Sequence, residues 1–274
     1  MADSEKFIDV RGIIQDKNPK LLELLPSFAI NYLRRILHED EVNQVISKSK
    51  DLGSIEFCQM VINYFNIELS HVGLENVPKE GGCVLAINHP LGGMDAMALV
   101  TILKEHRTDM KFIVNDVLLK LENLQGMFVG VNKVGKNLKE SLQKVDELFA
   151  TDQLICIFPA GLVSRKKKGV IEDLEWKKTF ITRSRKHNKS IIPVHINGEL
   201  TNFFYRLANL RAMLKIKANI EMLYLADEMF QQRDKKMKII FGEPIDIATL
   251  DRSKSDLEWA NFIKKKVYRL ASNH

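Results

Sequence analysis

Apolar positions along the chain keep two different rhythms. Over roughly the first 65 residues they recur at helical spacing. Leu21, Leu22, Leu24 and Leu25 lead into residues 27–37, where Phe28, Tyr32, Leu33, Ile36 and Leu37 approximate one stripe. Pro26 followed by Ser27 marks a helix start. A further helix is predicted over about 55–66, with Phe57, Val61, Tyr64 and Phe65 as its apolar positions. From about Ile67 the apolar runs shorten and turn residues bound them, Pro78-Lys79-Glu80-Gly81-Gly82 being the plainest break. Strands are predicted at 83–87, 111–114, 127–131, 154–158, 191–196, 220–225 and 237–241, and helices at 95–105, 138–150, 200–216 and 255–270. Strand–helix alternation of this length argues for an α/β fold with a mixed, largely parallel sheet flanked by helices. Residues 1–66 form an N-terminal helical segment that caps the α/β domain of 67–274.

Composition narrows this frame. The chain has 274 residues, 45% hydrophobic and 28% charged, which excludes global disorder. No run approaches the roughly 18 apolar residues of a membrane-spanning helix, and the polar start Met-Ala-Asp-Ser-Glu-Lys is unlike a signal peptide, so a cytoplasmic protein is expected. Cys58, Cys83 and Cys156 lie far apart, which excludes a disulfide framework and a cysteine-based zinc site. The net charge of +6 is concentrated. Residues 161–189 hold ten Lys/Arg against three Asp/Glu, so this one window accounts for the excess. Such a strip suits a phosphate-bearing ligand, an anionic membrane or nucleic acid, or is simply a solvated face.

Two segments carry candidate chemistry. Asn88-His89-Pro90-Leu91-Gly92-Gly93-Met94-Asp95 follows an apolar strand and leads into an apolar helix. Ligands of open α/β sheets bind at the carboxyl ends of strands. A histidine there is placed to act as a general base, with an aspartate to fix its tautomer; Asp95 is equally suited to cap the following helix. The second segment, Phe158-Pro159-Ala160-Gly161-Leu162-Val163-Ser164-Arg165, is a strand end and a turn that delivers a serine and an arginine, a natural cradle for an anion. Further on, Pro193 lies inside the apolar run 191–196, where its missing N–H calls for an edge, a bulge or a bend.

In this order and spacing these segments resemble the PlsC-like family of phospholipid-biosynthesis acyltransferases, typified by 1-acylglycerol-3-phosphate acyltransferase. The family's N-H-x-x-x-x-D motif corresponds to Asn88–Asp95, its G-x-x-x-x-x-R block to residues 126–133, its F-P-E-G-T-R-S-R block to Phe158–Arg165 and its V-P-V strand to 192–194. The resemblance covers about residues 70 to 245. It implies transfer of a fatty acyl group from a thioester, on acyl carrier protein or coenzyme A, to a lipid hydroxyl. His89 would be the general base and Asp95 its orienter, with no cofactor beyond the thioester co-substrate. Asn88, Lys133, Gly161, Ser164 and Arg165 would hold the anionic part of the acceptor. An alcohol is a poor nucleophile at neutral pH, so a positioned base is what such a transfer requires. With no Ser or Cys inside the His motif, direct attack is favoured over an acyl-enzyme, and Cys83 reads as core.

Three departures separate the chain from the family pattern. Five residues, not four, lie between His89 and Asp95, and the Gly92-Gly93 pair offers a way to absorb the extra one. Ala160 replaces the glutamate of the third block, and Leu162-Val163 its Thr-Arg. Asn132-Lys133 stands where Asp-Arg is common, leaving a point charge in place of a fork. These changes are those expected of a relative that acylates the 3-hydroxyl of a lyso-amino-acid lipid, ornithine or glycine, whose carboxylate would lie near Arg165.

A lipid substrate demands access to the bilayer. The mixture of Phe203, Phe204 and Leu207 with Arg206 and Arg211 suits an interfacial helix at the inner face of the membrane, with the segment around 28–37 a second candidate; the alternative for either is a helix packed on the core. A rival reading is a phosphate- or nucleotide-binding loop over Gly130–Lys136, which matches G-x-x-x-x-G-K but has Asn137 where magnesium needs Ser or Thr. The seven histidines show no metal-ligand pairing, and only Trp176 and Phe180 interrupt the basic strip, so neither a metal site nor nucleic-acid binding is expected.

Overall fold

The computed structural model describes residues 6–115, 119, 121–131 and 138–272. Its described residues fall into two compact units, one drawn from Met1–Leu52 with Leu200–Gln231 and the other from Gly53–Glu199 with Gln232–His274. The second carries the sheet. Its strands are β1 (Glu68–Val72), β2 (Cys83–Ile87), β3 (Met110–Asn115), β4 (Phe128–Val131), β5 (Leu154–Ile157), β8 (Ser190–Ile196) and β9 (Lys236–Phe241), in the order β1-β9-β8-β2-β5-β3-β4. Neighbours run parallel except β8 and β9. This is the mixed, largely parallel sheet that the alternation predicts.

β2 is buried at all five positions, as an unbroken apolar run covered on both faces must be. On one face Val84 and Ala86 join a core with Ile155 of β5 and Ile191 of β8. Helices α7 (Leu138–Phe149), α8 (Thr179–Lys186) and α11 (Asp256–Leu270) close that core with Phe149, Phe180, Trp259 and Ile263. α11 begins where the sequence places it: Ser255 accepts from Glu258 N–H and the Glu258 carboxylate returns to Ser255, a capping box. Successive side chains of a strand alternate, so Cys83, Leu85 and Ile87 face the other way, and they too are buried. Helix α6 (Gly93–Leu103), apolar all round as a buried helix is, packs against α5 (Ser54–Tyr64) and reaches β1.

Pro193 lies at a bulge. Gly242 N–H donates to Pro193 O at 2.8 Å, and the pairing resumes with Ile191 opposite Ile245, one residue out of step. The missing proline N–H thus falls where the ladder is already broken. A side chain at Gly242 would come within 2.9 Å of the proline ring.

The other unit holds α1 (Val10–Lys17), α2 (Pro19–Leu24), α3 (Ser27–Ile36), α4 (Glu39–Lys48), α9 (Asn202–Met213) and α10 (Leu225–Phe230). α3 starts at Ser27 as the Pro26-Ser27 pair predicts. The strand expected at 220–225 is instead a 3-10 turn, Ile220–Tyr224, running into α10. A strand needs a partner to take its backbone bonds. This run turns on itself instead, with the buried Glu221 held 2.8 Å from Arg211. The sequence pattern also misses α8, β1 and the short hairpin of β6 (Arg165–Lys167) and β7 (Val170–Glu172).

Candidate active site

β2, β5 and β8 run parallel and end side by side, so the loops after Ile87, Ile157 and Ile196 gather at one sheet edge. The β2 loop is secured first. Asn88, buried, donates Nδ2–H to Ile196 O at 2.8 Å and accepts Ile196 N–H at 2.7 Å. Both faces of its amide are therefore used to clip β2 to β8. By resemblance the same side chain is expected to help hold the acceptor's anion; its two bonds here run to the backbone of β8.

His89 follows. Gly92 has φ 73° and ψ −130°, a backbone region closed to residues with a Cβ. That reversal takes up the fifth intervening residue and brings the first turn of α6 back toward the loop. The result pairs His89 with Asp95: Nδ1 lies 2.9 Å from Asp95 Oδ2, which also accepts Leu91 N–H at 2.9 Å. With Nδ1 engaged, the tautomer that donates to Asp95 leaves Nε2 as the basic nitrogen. The ring stacks on Phe158 at 4.2 Å and 26°, and the side chain keeps 19% of its surface exposed, enough for a ligand to reach.

Asp95 has no exposed surface. Burial raises its carboxyl above the ordinary aspartate value, opposed by the bonds from His89 and from the Leu91 N–H. Its Oδ1 is buried with no hydrogen-bond partner among the described residues. Charge on this carboxylate is thus poorly served by solvent and depends on His89, which suits it to stabilise an imidazolium.

The β5 loop supplies the second wall. Gly161, at φ 66°, donates its N–H to Phe158 O at 3.0 Å and closes the turn, leaving its own surface exposed. Ser164 and Arg165 do not join it as an anion cradle. Ser164 is buried, its hydroxyl donating to Asp173 Oδ1 at 2.6 Å and its N–H to His89 O at 2.8 Å. Arg165 is 6% exposed and directs Nη1 at Val163 O, 2.5 Å away. Both residues thus bond within the protein, where the resemblance has them holding the acceptor's anion. Burial and intramolecular bonding decided this, and neither is visible in a Ser-Arg pair at the end of a turn. Lys133 and most of the Gly130–Lys136 loop lie outside the described residues.

The basic strip is likewise largely consumed within the protein. Arg183, Lys186 and His187 converge on Asp146 and hold its carboxyl well below the usual range, Arg185 pairs with Asp256, and Lys189 reaches Asp152 at 3.3 Å. Lys167 and Lys168, near the tip of the β6–β7 hairpin, remain exposed.

Two features were not legible in the sequence. The first is Asp173, buried, whose carboxylate accepts from His89 N–H at 3.1 Å, from Ser164 and from Trp176 Nε1–H at 2.8 Å. No repeat or spacing signals it. The second is an apolar cleft of about 410 Å³ at the ends of β3, β4 and β5. Its walls include Ile113, Val131, Val145 and Phe180, with Lys177 and Thr179 among its polar members. Phe158 lines it and also stacks on His89, so one ring borders both the cleft and the imidazole. The cysteines take no part: all three are buried, and burial pushes Cys83 to about 11 and Cys58 to about 12. Among the described residues no three His, Cys, Asp or Glu side chains group as metal ligands would.

α9 shows which of its residues face outward. Phe203 and Arg206 are exposed and Leu207 is half-buried. Phe204 has no exposed surface, and Arg211 is taken by the buried Glu221. Of the residues expected to contact the membrane, Phe203 and Arg206 lie on the outer face, with Leu210, Met213 and Leu214 also exposed, while Phe204 lies on the buried face with Tyr205 and Ala208. Adjacent residues on a helix point about 100° apart, so Phe203 and Phe204 cannot share a narrow face.

Comparison with known proteins fits this geometry. Two proteins named lyso-glycine lipid O-acyltransferase are similar to nearly the whole chain. That of Bacteroides thetaiotaomicron is 43% identical over 272 residues, covering 98% of this chain and 100% of the relative. That of Phocaeicola vulgatus is 40% identical over 269 residues, covering 98% and 96%. The crystal structure of the 1-acyl-sn-glycerophosphate (LPA) acyltransferase PlsC from Thermotoga maritima shares the fold, with a TM-score of 0.51 at 18% identity over 89% of each chain. Residues 12–274 match the model of the family described as Acyltransferase. With that match over nearly its full length, and a histidine–aspartate pair beside an apolar cleft, the chain belongs to the acyltransferase family.

Proposed function

We propose that this enzyme transfers a fatty acyl group from a thioester to the 3-hydroxyl of a lyso-glycine lipid. The observation that carries the reading is the near-full-length similarity to two proteins of that name; the 2.9 Å His89–Asp95 pair supplies its chemistry. His89 Nε2 takes the proton of the acceptor hydroxyl as that oxygen attacks the thioester carbonyl. Asp95 stabilises the imidazolium. Collapse of the tetrahedral intermediate breaks the C–S bond, and the imidazolium returns its proton to the departing thiolate. The thioester, on acyl carrier protein or coenzyme A, is then the one co-substrate required. The cleft beside Phe158 suits an acyl chain, since its walls are mainly apolar. The exposed lysines of the β6–β7 hairpin suit an acidic carrier protein or a phosphorylated cofactor arm.

No helix among the described residues is long and apolar enough to cross a membrane. Peripheral binding at the inner face is the reading that the helical unit supports. Leu24, Phe28 and Met213 are 80%, 76% and 71% exposed, with Arg35 and Arg206 exposed on the same helices as Phe28 and Met213. Exposed apolar groups interleaved with cations suit an anionic lipid surface.

Product analysis tests the reading. The purified enzyme, given a long-chain acyl thioester and a panel of lyso-glycine lipid, lyso-ornithine lipid and lysophosphatidate, should acylate the glycine lipid preferentially. His89→Ala should lower kcat/KM about 10²–10⁴-fold, the usual range for a general base. Preference for lysophosphatidate, or full activity without His89, overturns the proposal.

A further inference from the structure

Asp173 is the most heavily bonded carboxylate near His89, and the transfer as described makes no use of it. It is 5% exposed. Oδ1 accepts from the His89 backbone N–H at 3.1 Å and from the Ser164 hydroxyl at 2.6 Å, and Oδ2 accepts from the Trp176 indole at 2.8 Å. Its own backbone is pinned as well: the N–H donates to the Tyr268 hydroxyl at 2.7 Å, and the carbonyl accepts from Lys264 Nζ at 2.6 Å. Tyr268 and Lys264 lie on α11, Trp176 precedes α8, Ser164 is in the β5 loop and His89 is in the β2 loop. One buried aspartate, through its carboxylate and its backbone, therefore joins four separate parts of the chain.

Three of these bonds close a ring around the His89 peptide. Asp173 holds its N–H, Ser164 N–H holds its carbonyl at 2.8 Å, and the Ser164 hydroxyl ties the two together. With the peptide groups on both sides of its Cα held, one by its N–H and the other by its C=O, His89 is restrained in φ and ψ. The Cα–Cβ direction of His89 is thereby set before Asp95 and Phe158 fix the ring. Buried carboxylate bonds to N–H and O–H donors are short and directional, and they resist such rotation more than neutral ones do.

We propose that Asp173 is a positioning residue for the acyl transfer: anchored by Trp176, it holds the His89 backbone directly and through Ser164, so that the imidazole nitrogen meets the acceptor hydroxyl. The inference rests on the reading of His89 as the base. Asp173 does not touch substrate, so its loss should lower the rate of transfer rather than the binding of either substrate.

Steady-state kinetics of Asp173→Asn on the full chain, with lyso-glycine lipid and a long-chain acyl thioester, is the test. Asparagine keeps the shape but presents an N–H to one of the three donors. A misplacement of about 1 Å costs roughly 10²-fold in rate. The expected result is therefore a kcat lower by about that factor per folded molecule, with both KM values within about threefold of the parent. A kcat within about threefold of the parent, or a rise in KM at unchanged kcat, overturns the proposal. If the asparagine variant does not fold, Trp176→Phe decides. It keeps an aromatic ring and removes only the indole donor, and should lower kcat about fivefold at constant KM, as expected for one bond of a shared network; an unchanged kcat is fatal. His89→Ala, run alongside, separates the two claims. If it is inactive while Asp173→Asn is normal, only the positioning role falls; if it is active, the base assignment falls first.

Discussion

Apolar side chains are placed by opposite rules in the two units of this enzyme. In the sheet unit they are inside: β2 and most of α6 have no appreciable exposure, and Trp176, Phe149 and Phe180 are completely covered. In the unit of helices α1–α4, α9 and α10, several of the largest are outside, Leu24, Phe28, Phe203 and Met213 among them. What that unit buries is often charged. Glu39 accepts Val10 N–H and meets Arg34 at 3.2 Å, Glu221 meets Arg211, and Glu228 accepts the N–H and hydroxyl of Thr201. Its aromatic groups also work through polar ends, as in the 2.7 Å contact of the Tyr32 and Tyr224 hydroxyls. A fold that ties itself with buried carboxylates can turn its apolar residues outward without losing definition. A fold that must hold a histidine to within tenths of an ångström invests its apolar residues in the core.

The comparison predicts that chemistry and lipid binding separate by unit. Asp95→Asn should lower kcat by about 10³-fold or more, because the tautomer and the charge behind His89 are both lost. Vesicle binding should be unchanged and the melting temperature should not fall. The carboxyl's pKa is raised in the folded state, so folding favours its protonated form. Whatever stability that group adds is present at low pH and is lost as pH rises through the raised value. A neutral side chain at neutral pH relieves that cost. A large drop in melting temperature would show that Asp95 holds the fold and not only the imidazole.

Next in size is the converse. Changing Leu24, Phe28 and Met213 together to serine should weaken binding to anionic vesicles about 10²-fold, since burying each such side chain stabilises by roughly 1.5–3 kcal/mol when complete. Turnover of a short-chain, micelle-free acceptor should be unaffected. On the same helix as Met213, Phe204→Ala should instead destabilise by about 3–5 kcal/mol. Equal effects from the exposed and buried positions, in a sedimentation assay and a thermal melt, would erase the distinction between the two faces.

The smallest effect concerns pH. His195 lies in β8 with Nδ1 buried and unpartnered among the described residues, its ring edge-on to Tyr268 at 5.8 Å, and burial lowers its pKa to about 4. A histidine depressed in the folded state contributes stability that is present above about 6.5 and is lost as pH falls through the folded value. The full loss amounts to about 3 kcal/mol. Both tryptophans, Trp176 and Trp259, belong to the sheet unit. Their fluorescence should therefore report a melting temperature that declines between pH 6.5 and pH 4, and His195→Gln should flatten the decline. An identical decline in the variant would assign the acid sensitivity elsewhere.

Much of the sheet was legible because its rhythm is local. The run 83–87 has no polar residue, and only a strand covered on both faces tolerates that. β3, β5, β8 and β9 are mostly apolar runs too, and their predicted and observed bounds differ by a residue or two at most. The run at 220–225, apolar but for Glu221, is also expected to be a strand and is not one, because whether such a run pairs depends on what lies beside it. The pairing of His89 with Asp95 could be anticipated from motif and spacing, the glycine pair supplying the reversal. The roles of Asn88, Ser164 and Arg165 could not. A polar residue in a loop reads as ligand-facing until its hydrogen-bond partners are known, and here those partners are 108 residues away for Asn88 and nine for Ser164.

The sequence by itself determined the α/β class, the strand ends that bear candidate residues, the excess of positive charge and the histidine–aspartate motif. These rest on periodicity, composition and short-range spacing. Tertiary structure alone decided that half of the basic strip is paired with carboxylates, that Phe203 is exposed while Phe204 is buried, and that Asp173 stands behind His89. Each of these depends on which distant groups share a volume, and burial converts that proximity into energy by removing the competing water.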